Sequence, residues 1–184
     1  MIITLVIIGL LVIFVFMAIG IYNNLQRKRI GAQTAWSDVD VQLKRRYDLI
    51  PNLVNTVKGY AAHEKGTLEA VINARNQAAS AKTVAEHAAG ENVLTQALGR
   101  LFALAEAYPQ LKADTNFRQL QEELVSTENR VGFSRQNYNR NVSQYNEALA
   151  VFPSNILAGI FNFTRMDFFE VTDQAQREAP KVAF

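Results

Sequence analysis

Three charged side chains stand at positions where the apolar pattern predicts the inside of a helical protein. Arg46 lies on an apolar stripe, and Glu128 and Arg135 share one column of a later helix. None of the three has an opposite charge three or four residues away, the spacing that joins side chains along one helix. We therefore expect Arg46 or Arg45 to form an interhelical ion-pair network with Glu128 and Arg135, with Asn139 as a further candidate. The alternative is that these long side chains reach water from the edge of the seam.

The residue types used for metal and nucleophilic chemistry are scarce. Cysteine is absent, and His63 and His87 stand in neither an H-E-x-x-H motif nor the Glu-x-x-His spacing of di-iron bundles. We expect both histidines at the surface or in loops. Glycine-rich phosphate loops and the usual orders of a Ser-His-carboxylate triad are missing too. The sequence thus predicts no catalytic residue, no metal, no cofactor and no enzyme.

Two Tyr-Asn dipeptides, Tyr138-Asn139 and Tyr145-Asn146, lie one heptad apart. Asparagine is a poor helix residue because its side chain competes for backbone hydrogen bonds, so the repeat suggests hydrogen bonds across a bundle. The alternative is that the tyrosines fill the core while the asparagines point outward.

Heptad-spaced apolar residues predict the helices that hold these side chains. The first stripe recurs at Trp36, Leu43, Ile50 and Val57. Pro51 lies inside it, but the apolar phase continues across the proline. We expect one helix with a bend there, since Pro51 has no amide hydrogen for the carbonyl of Tyr47. A new helix beginning near Pro51 is the alternative.

Further helices follow in the pattern. The first helix is predicted to continue to about residue 81, and residues 83–92, TVAEHAAGEN, are predicted to form a polar loop. A second helix covers 93–107, and a third begins at the capping residues 114–116 and ends at Phe152-Pro153-Ser154. Its apolar stripe is Phe117, Leu124, Val131, Tyr138 and Tyr145. A short amphipathic helix is expected within 155–163.

Residues 1–22 contain no charged side chain and would rise about 30 Å as a helix, the thickness of a bilayer core. They predict a transmembrane helix, and a cleaved signal peptide is disfavoured because no basic residue precedes the apolar run. Arg27, Lys28 and Arg29 follow at once, so the positive-inside rule predicts an outside N-terminus and a cytoplasmic body. A formal net charge of +2 gives no support for nucleic-acid binding.

The predicted fold class is all-α. A transmembrane helix at 1–22 continues into a long antiparallel, up-and-down bundle of three to four helices at 23–171, followed by a flexible tail at 172–184.

Three segments, 36–64, 108–146 and 152–161, resemble the LemA family closely. Arg46, Leu49, Pro51, Asn52 and Leu53 match the family's R-x-x-L-x-P-N-L signature. Its other signatures are matched by Glu128-Asn129, Arg135, Tyr138-Asn139 and Phe152-Pro153-Ser154. The resemblance implies a membrane protein with a small N-terminus outside, a helical-bundle body and no established enzymatic activity.

The predicted function is that of a membrane-anchored scaffold or interaction protein whose partners are the lipid bilayer, further copies of itself and other membrane proteins. Self-assembly is expected because the first helix has more apolar stripe than the later helices can cover. An alternative is membrane-surface sensing or remodelling by the aromatic segment 156–169. A cofactor-binding or hydrolytic bundle is a remote third possibility. The candidate interface residues are Arg46, Pro51, Asn52, Glu128, Asn129, Arg135, Tyr138, Asn139, Phe152 and Pro153.

Overall fold

The computed structural model describes residues 1–170, and these form six helices with no strand among them. The helices are α1 (Ile2–Tyr60), α2 (Lys65–Ala79), α3 (Val84–Ala105), α4 (Pro109–Ala113), α5 (Thr115–Ala150) and α6 (Ser154–Ile160). The predicted all-α class is confirmed. The tail predicted at 172–184 lies outside the described residues.

The α1 helix runs for 59 residues and passes through Pro51 without interruption, so the predicted continuation across the proline is confirmed. By length and composition, its N-terminal part could cross a membrane, and the most apolar stretch is not buried in the protein. We call residues 1–22 the candidate span. Burial in the core begins just after it, at Leu25.

Two predicted boundaries are wrong. The first helix ends at Tyr60 rather than near residue 81, and residues 61–64 separate it from α2. The predicted loop at 83–92 is mostly helix, because α3 begins at Val84. A capping box starts it: Thr83 Oγ1 accepts from the Glu86 amide at 3.1 Å, and Glu86 Oε2 accepts from the Thr83 amide at 3.1 Å.

The core is built on an antiparallel pair, α1 and α5. At one end the Tyr60 hydroxyl donates to Asp114 Oδ2 at 2.8 Å, and at the other Leu25 packs in one cluster with Ala148. The predicted N-cap of α5 is also present, since Asp114 Oδ1 accepts from the Phe117 amide at 2.9 Å. With 36 residues, α5 covers α1 from the end of the candidate span to Tyr60.

This pairing buries both predicted stripes within the chain. All five heptad residues of α5 are buried, as are Leu43, Ile50 and Val57 of α1. Most of the apolar stripe from which self-assembly is expected is therefore covered within the chain. A homo-oligomer stays a prediction without that support.

The α2 and α3 helices form a hairpin in which α2 packs on α1, and α3 contacts α1 through side chains that include Glu91 and His87. The two helices of the hairpin lie close together at Gly90, where an added Cβ would lie 2.8 Å from the Cα of Ala78. Only glycine fits this crossing without moving a backbone, so the helices approach closely at this point.

After α5 the chain turns back on itself. The Phe152-Pro153 peptide bond is cis, α6 follows, and Asn162 adopts a positive φ of 54°, which asparagine tolerates better than most residues. The non-helical residues 163–170, which we call the return segment, then run back along α5.

Candidate functional site

The most deeply buried charges in the described residues form one ion pair between two helices. Arg46 Nη1 on α1 lies 2.5 Å from Glu91 Oε2 on α3, and each residue is only 4% exposed. Arg46 Nη2 donates to Thr95 Oγ1 at 3.2 Å and lies 3.7 Å from Glu128 Oε2 on α5. One arginine thus connects three helices.

Local structure explains how each partner reaches Arg46. The apolar stripe of α1 carries Arg46 into the seam between the helices. Glu91 and Thr95 are four residues apart, so they share one face of α3. Glu128 projects from α5 and remains exposed, so its contact with Arg46 is the weaker of the two ionic contacts.

Sequence reasoning missed Glu91, the closest partner of Arg46. The sequence prediction of a loop at 83–92 gives Glu91 no place on a helix face, although the T-x-x-E pattern at Thr83 and Glu86 is a signal for a helix start. A helix that begins at this signal places Glu91 and Thr95 on one face. The choice of Arg46 as their partner depends on tertiary packing.

A groove of about 480 Å³ opens beside the ion pair. Arg46 and Glu91 contribute to its lining, and Glu128, Asn129 and Arg135 of α5 line it as well. Phe133 also belongs to the groove although it is 72% exposed, which is unusual for so large an apolar side chain. The groove therefore combines both charge signs with one exposed aromatic ring.

Two atoms of the ion pair have no hydrogen-bond partner within the described part of the chain. They are Arg46 Nε, a donor, and Glu91 Oε1, an acceptor. The hydroxyl of Tyr47 is buried near the same carboxylate, which is its candidate acceptor. Burial raises the pKa of Tyr47 well above its ordinary value, and the negative charge of Glu91 raises it further. The phenol therefore remains a neutral donor.

His87 is buried, so its predicted place at the surface or in a loop is wrong. It lies on α3, and its ring stands edge-on to Trp36 with centroids 5.4 Å apart. The same indole also packs against Tyr138 and Phe169. Because α3 begins at Val84, the histidine faces the core. Among the described residues, no cluster of three His, Cys, Asp or Glu side chains could hold a metal ion.

The Tyr-Asn repeat holds the return segment. Asn139 accepts from the Phe169 amide at 2.9 Å and donates to the Phe169 carbonyl at 3.1 Å. Asn146 makes the same pair of bonds with Met166, at 3.0 and 2.9 Å. The side-chain hydrogen bonds suggested by the repeat are therefore present, and their partner is a backbone segment rather than another helix.

The two tyrosines complete this contact. The Tyr138 hydroxyl donates to the Asp167 carbonyl at 2.8 Å, and that of Tyr145 donates to the Thr164 carbonyl at 3.0 Å. Burial raises the pKa of both phenols, so both retain the proton that they donate. Tyr138 and Asn139 consequently hold the return segment and do not line the groove themselves.

The remaining candidate residues lie elsewhere. Arg45 is exposed, and Arg135 has no carboxylate within 4 Å in the described residues although it lines the groove. Pro51 and Asn52 lie on α1 one turn beyond Arg46 and outside the groove lining. The structure thus brings together Arg46, Glu128, Asn129 and Arg135. Whether they form a partner interface stays a prediction.

Phe152 and Pro153 are far from the groove, at the end of α5 that meets the candidate span. Phe152 is strongly exposed there.

The family assignment rests on most of the chain. The sequence model of the LemA family matches residues 35–184, which include the groove, the Tyr-Asn repeat and α6. The chain belongs to the LemA family. The match begins one residue before Trp36, so the candidate span lies outside it.

Three relatives, two MamQ proteins and one LemA protein, are distant from this chain in sequence. The chain is 26% identical to magnetosome protein MamQ of Magnetospirillum gryphiswaldense over 185 residues, covering 86% of this chain and 68% of that protein. It is 26% identical to magnetosome protein MamQ 2 of Paramagnetospirillum magneticum over 175 residues, covering 81% and 64%. Protein LemA of Metamycoplasma hominis is 24% identical over 164 residues, covering 88% and 74%. This LemA chain spans about two thirds of the length of the MamQ relatives.

Proposed function

We propose that this protein is a membrane-anchored docking protein whose groove beside Arg46 binds a polar segment of a partner membrane protein. The observation that carries the proposal is an open groove beside the buried Arg46–Glu91 pair, lined at its exposed rim by Glu128, Asn129 and Phe133. The names of the relatives assign no reaction, and the proposal does not depend on them.

The chemistry of the groove suits a peptide amide. The exposed side chains of Gln96 and Asn129 line the groove, and each offers an amide with a donor and an acceptor to a backbone amide or to an Asn or Gln side chain of a partner. At the rim, Glu128 and Arg135 can orient a charged partner, and Phe133 offers an apolar contact of the type enriched at interfaces.

The anchor in this proposal is the candidate span. An exposed apolar helix of this length is stable in a bilayer, where its backbone is satisfied internally and its side chains meet acyl chains. We place the body on the cytoplasmic side because Arg27, Lys28 and Arg29 follow the span directly. Protease accessibility of the body in oriented vesicles tests that side.

Photo-crosslinking from within the groove tests the docking function. A benzoylphenylalanine at Phe133 is expected to form adducts in native membranes, whereas the same probe at Val125, exposed on the same helix but outside the groove, is not. Mass spectrometry of the adducts distinguishes a different membrane protein from a second copy of this chain. Adducts of equal yield at both positions would contradict a docking role for the groove.

A charge reversal provides the matched control. Arg135→Glu should lower the adduct yield at Phe133 several-fold, because it reverses the charge on the groove rim. Arg118→Glu makes the same change on an exposed position of α5 away from the groove and should leave the yield unchanged. An adduct that is insensitive to Arg135→Glu would show that the groove charges take no part in binding.

A further inference from the structure

The segment around α6 is free of charge and folds back against the candidate span. Residues 148–164 contain no charged side chain. On its inner side Ala158 is buried in one cluster with Leu25 and Ala148. The ring of Tyr22, at the end of the span, lies edge-on to Phe161 with centroids 4.9 Å apart.

The contacts of Phe161 show how far this segment reaches along the span. Phe161 lines a small cavity of about 270 Å³ together with Phe14, Val15, Ala18, Ile19 and Tyr22. Phe14 precedes Tyr22 by two helical turns, a rise of about 12 Å. The Phe161 ring therefore lies beside the last turns of the apolar run, which precede Arg27, the first charged residue of α1.

The outer side of the segment carries an exposed apolar patch, which we define as Phe152, Ile156, Ile160 and Phe161. Each of the four is more than half exposed, and Phe152 reaches 78%. Ile156 and Ile160 are four residues apart on α6 and therefore share one face. Large apolar side chains concentrated in this way mark a contact with a protein or a membrane.

We propose that α6 and its flanking phenylalanines form a second membrane contact, seated in the boundary between headgroups and acyl chains of the leaflet from which α1 emerges. The inference rests on the proposed function in one respect, namely that residues 1–22 span a bilayer. It gives a definite form to the membrane-surface role that the sequence predicts for this segment as an alternative.

Two observations favour lipid over a protein as the occupant of the patch. The patch is continuous with the exposed surface of the candidate span, because Phe161 touches both. Its four side chains offer no charge or hydrogen-bonding group that would orient a protein partner, whereas a bilayer interface requires only apolar side chains at the right depth. Arg27, Lys28 and Arg29 follow the span on α1, and Arg165 follows the segment, so basic residues flank the patch at headgroup level.

This contact would fix the orientation of the bundle. A single span leaves the body free to tilt and rotate about its axis. A second contact on one side of α1 removes that freedom and holds the groove in one orientation relative to the membrane.

The absence of cysteine from the sequence permits a direct depth measurement. Single variants Ile156→Cys and Ile160→Cys of the full chain are labelled with bimane and reconstituted in vesicles of phosphatidylcholine and phosphatidylglycerol. Leu10→Cys reports on the span, and Val125→Cys, on an exposed position of α5, reports on water. Because all four positions are exposed, the variants retain the packing of the core.

Nitroxides on the acyl chains should quench the labels at 156, 160 and 10 several-fold more than the label at 125, and aqueous iodide should show the reverse order. Labels at 156 and 160 that iodide quenches as strongly as the label at 125, with position 10 still quenched by lipid, would overturn this inference alone. Labels that neither quencher reaches would overturn it in favour of a protein cover. A label at position 10 accessible to iodide would overturn the span and this inference together.

Discussion

The hydrogen bonds between the Tyr-Asn repeat and the return segment lead to a quantitative prediction. Asn139→Ala removes two bonds to the backbone of Phe169, at 2.9 and 3.1 Å. A hydrogen bond contributes about 1 kcal/mol net, so the loss should be about 2 kcal/mol. Local opening at Phe169 should then become about 30-fold more frequent, since 1.4 kcal/mol corresponds to a factor of ten. Asn146→Ala should have the same effect at Met166, where two bonds are also lost.

Amide hydrogen exchange measures this opening residue by residue. The amides of Phe169 and Met166 donate to the two asparagine side chains, so each reports on its own contact. The matched control is Asn141→Ala on the same helix, whose side chain donates to the Asn137 carbonyl within α5 at 2.9 Å.

The control should leave exchange at both reporter amides unchanged. Equal acceleration by all three substitutions would attribute the effect to the α5 helix itself and refute the reasoning. No acceleration at Phe169 in Asn139→Ala would show that these bonds add nothing to the stability of the return segment.

Two further predictions concern the ion pair and a helix cap. Arg46→Met should lower the free energy of unfolding by about 3–5 kcal/mol because it leaves Glu91 buried without its partner, and Arg46→Met with Glu91→Leu should regain most of the loss. Chemical denaturation in detergent measures both, and a double variant less stable than either single one would contradict the pairing. Backbone amides of Lys82 and Thr83 hold the pKa of Glu86 below its ordinary value, so its stabilising effect is present above the unfolded pKa and lost as pH falls through the folded pKa. The protection factor of the Thr83 amide, which compares its exchange with the intrinsic rate at each pH, should fall on acidification in the parent and be low and nearly free of that pH response in Glu86→Gln, whereas an unchanged acid response in the variant would exclude Glu86 as its source.

The parts of the fold that depend on periodicity could be predicted from the sequence. The stripe from Phe117 to Tyr145 repeats every seven residues over one helix, and the span is a single run without charge. The loop predicted at 83–92 is wrong because alanine, glycine and polar residues there leave little apolar period, so that only the Thr83–Glu86 capping box marks the helix start. Glu91 lies in the same stretch, and its position on a helix face depends on that start.

Long-range partners are harder to predict than helices, because spacing along one helix does not identify the opposite surface. Arg46 could be recognised as lacking a local counterion, but its pairing with Glu91 depends on how the α2–α3 hairpin is placed. The Tyr-Asn repeat suggested side-chain bonds, but the partner of Asn139 lies 30 residues away in a segment without helical period. The sequence therefore indicates that a charged or amide side chain needs a hydrogen-bonding partner, but it does not indicate which residue of another segment is that partner.

The geometry of the return segment explains why the asparagines lie one heptad apart. Seven residues of α5 rise about 10.5 Å, and three residues of extended chain cover about 10 Å. Asn146 and Asn139 can therefore bond Met166 and Phe169 in register only if the segment between them is extended and runs antiparallel to α5. A spacing of three or four residues on the helix would separate the two side chains by only about 5–6 Å, too little to reach residues three apart on an extended segment.

The pairing of Asn139 with Phe169 also connects the Tyr-Asn repeat with the groove beside Arg46. Phe169 is held by Asn139, packs on Trp36 and lines the groove that contains Arg46. The return segment therefore supplies part of the groove wall, and both the asparagines and the tyrosines of the repeat bond to it. Asn139 acts on the groove through Phe169, whereas Arg46 faces it directly, so the two residues serve the same site in different ways.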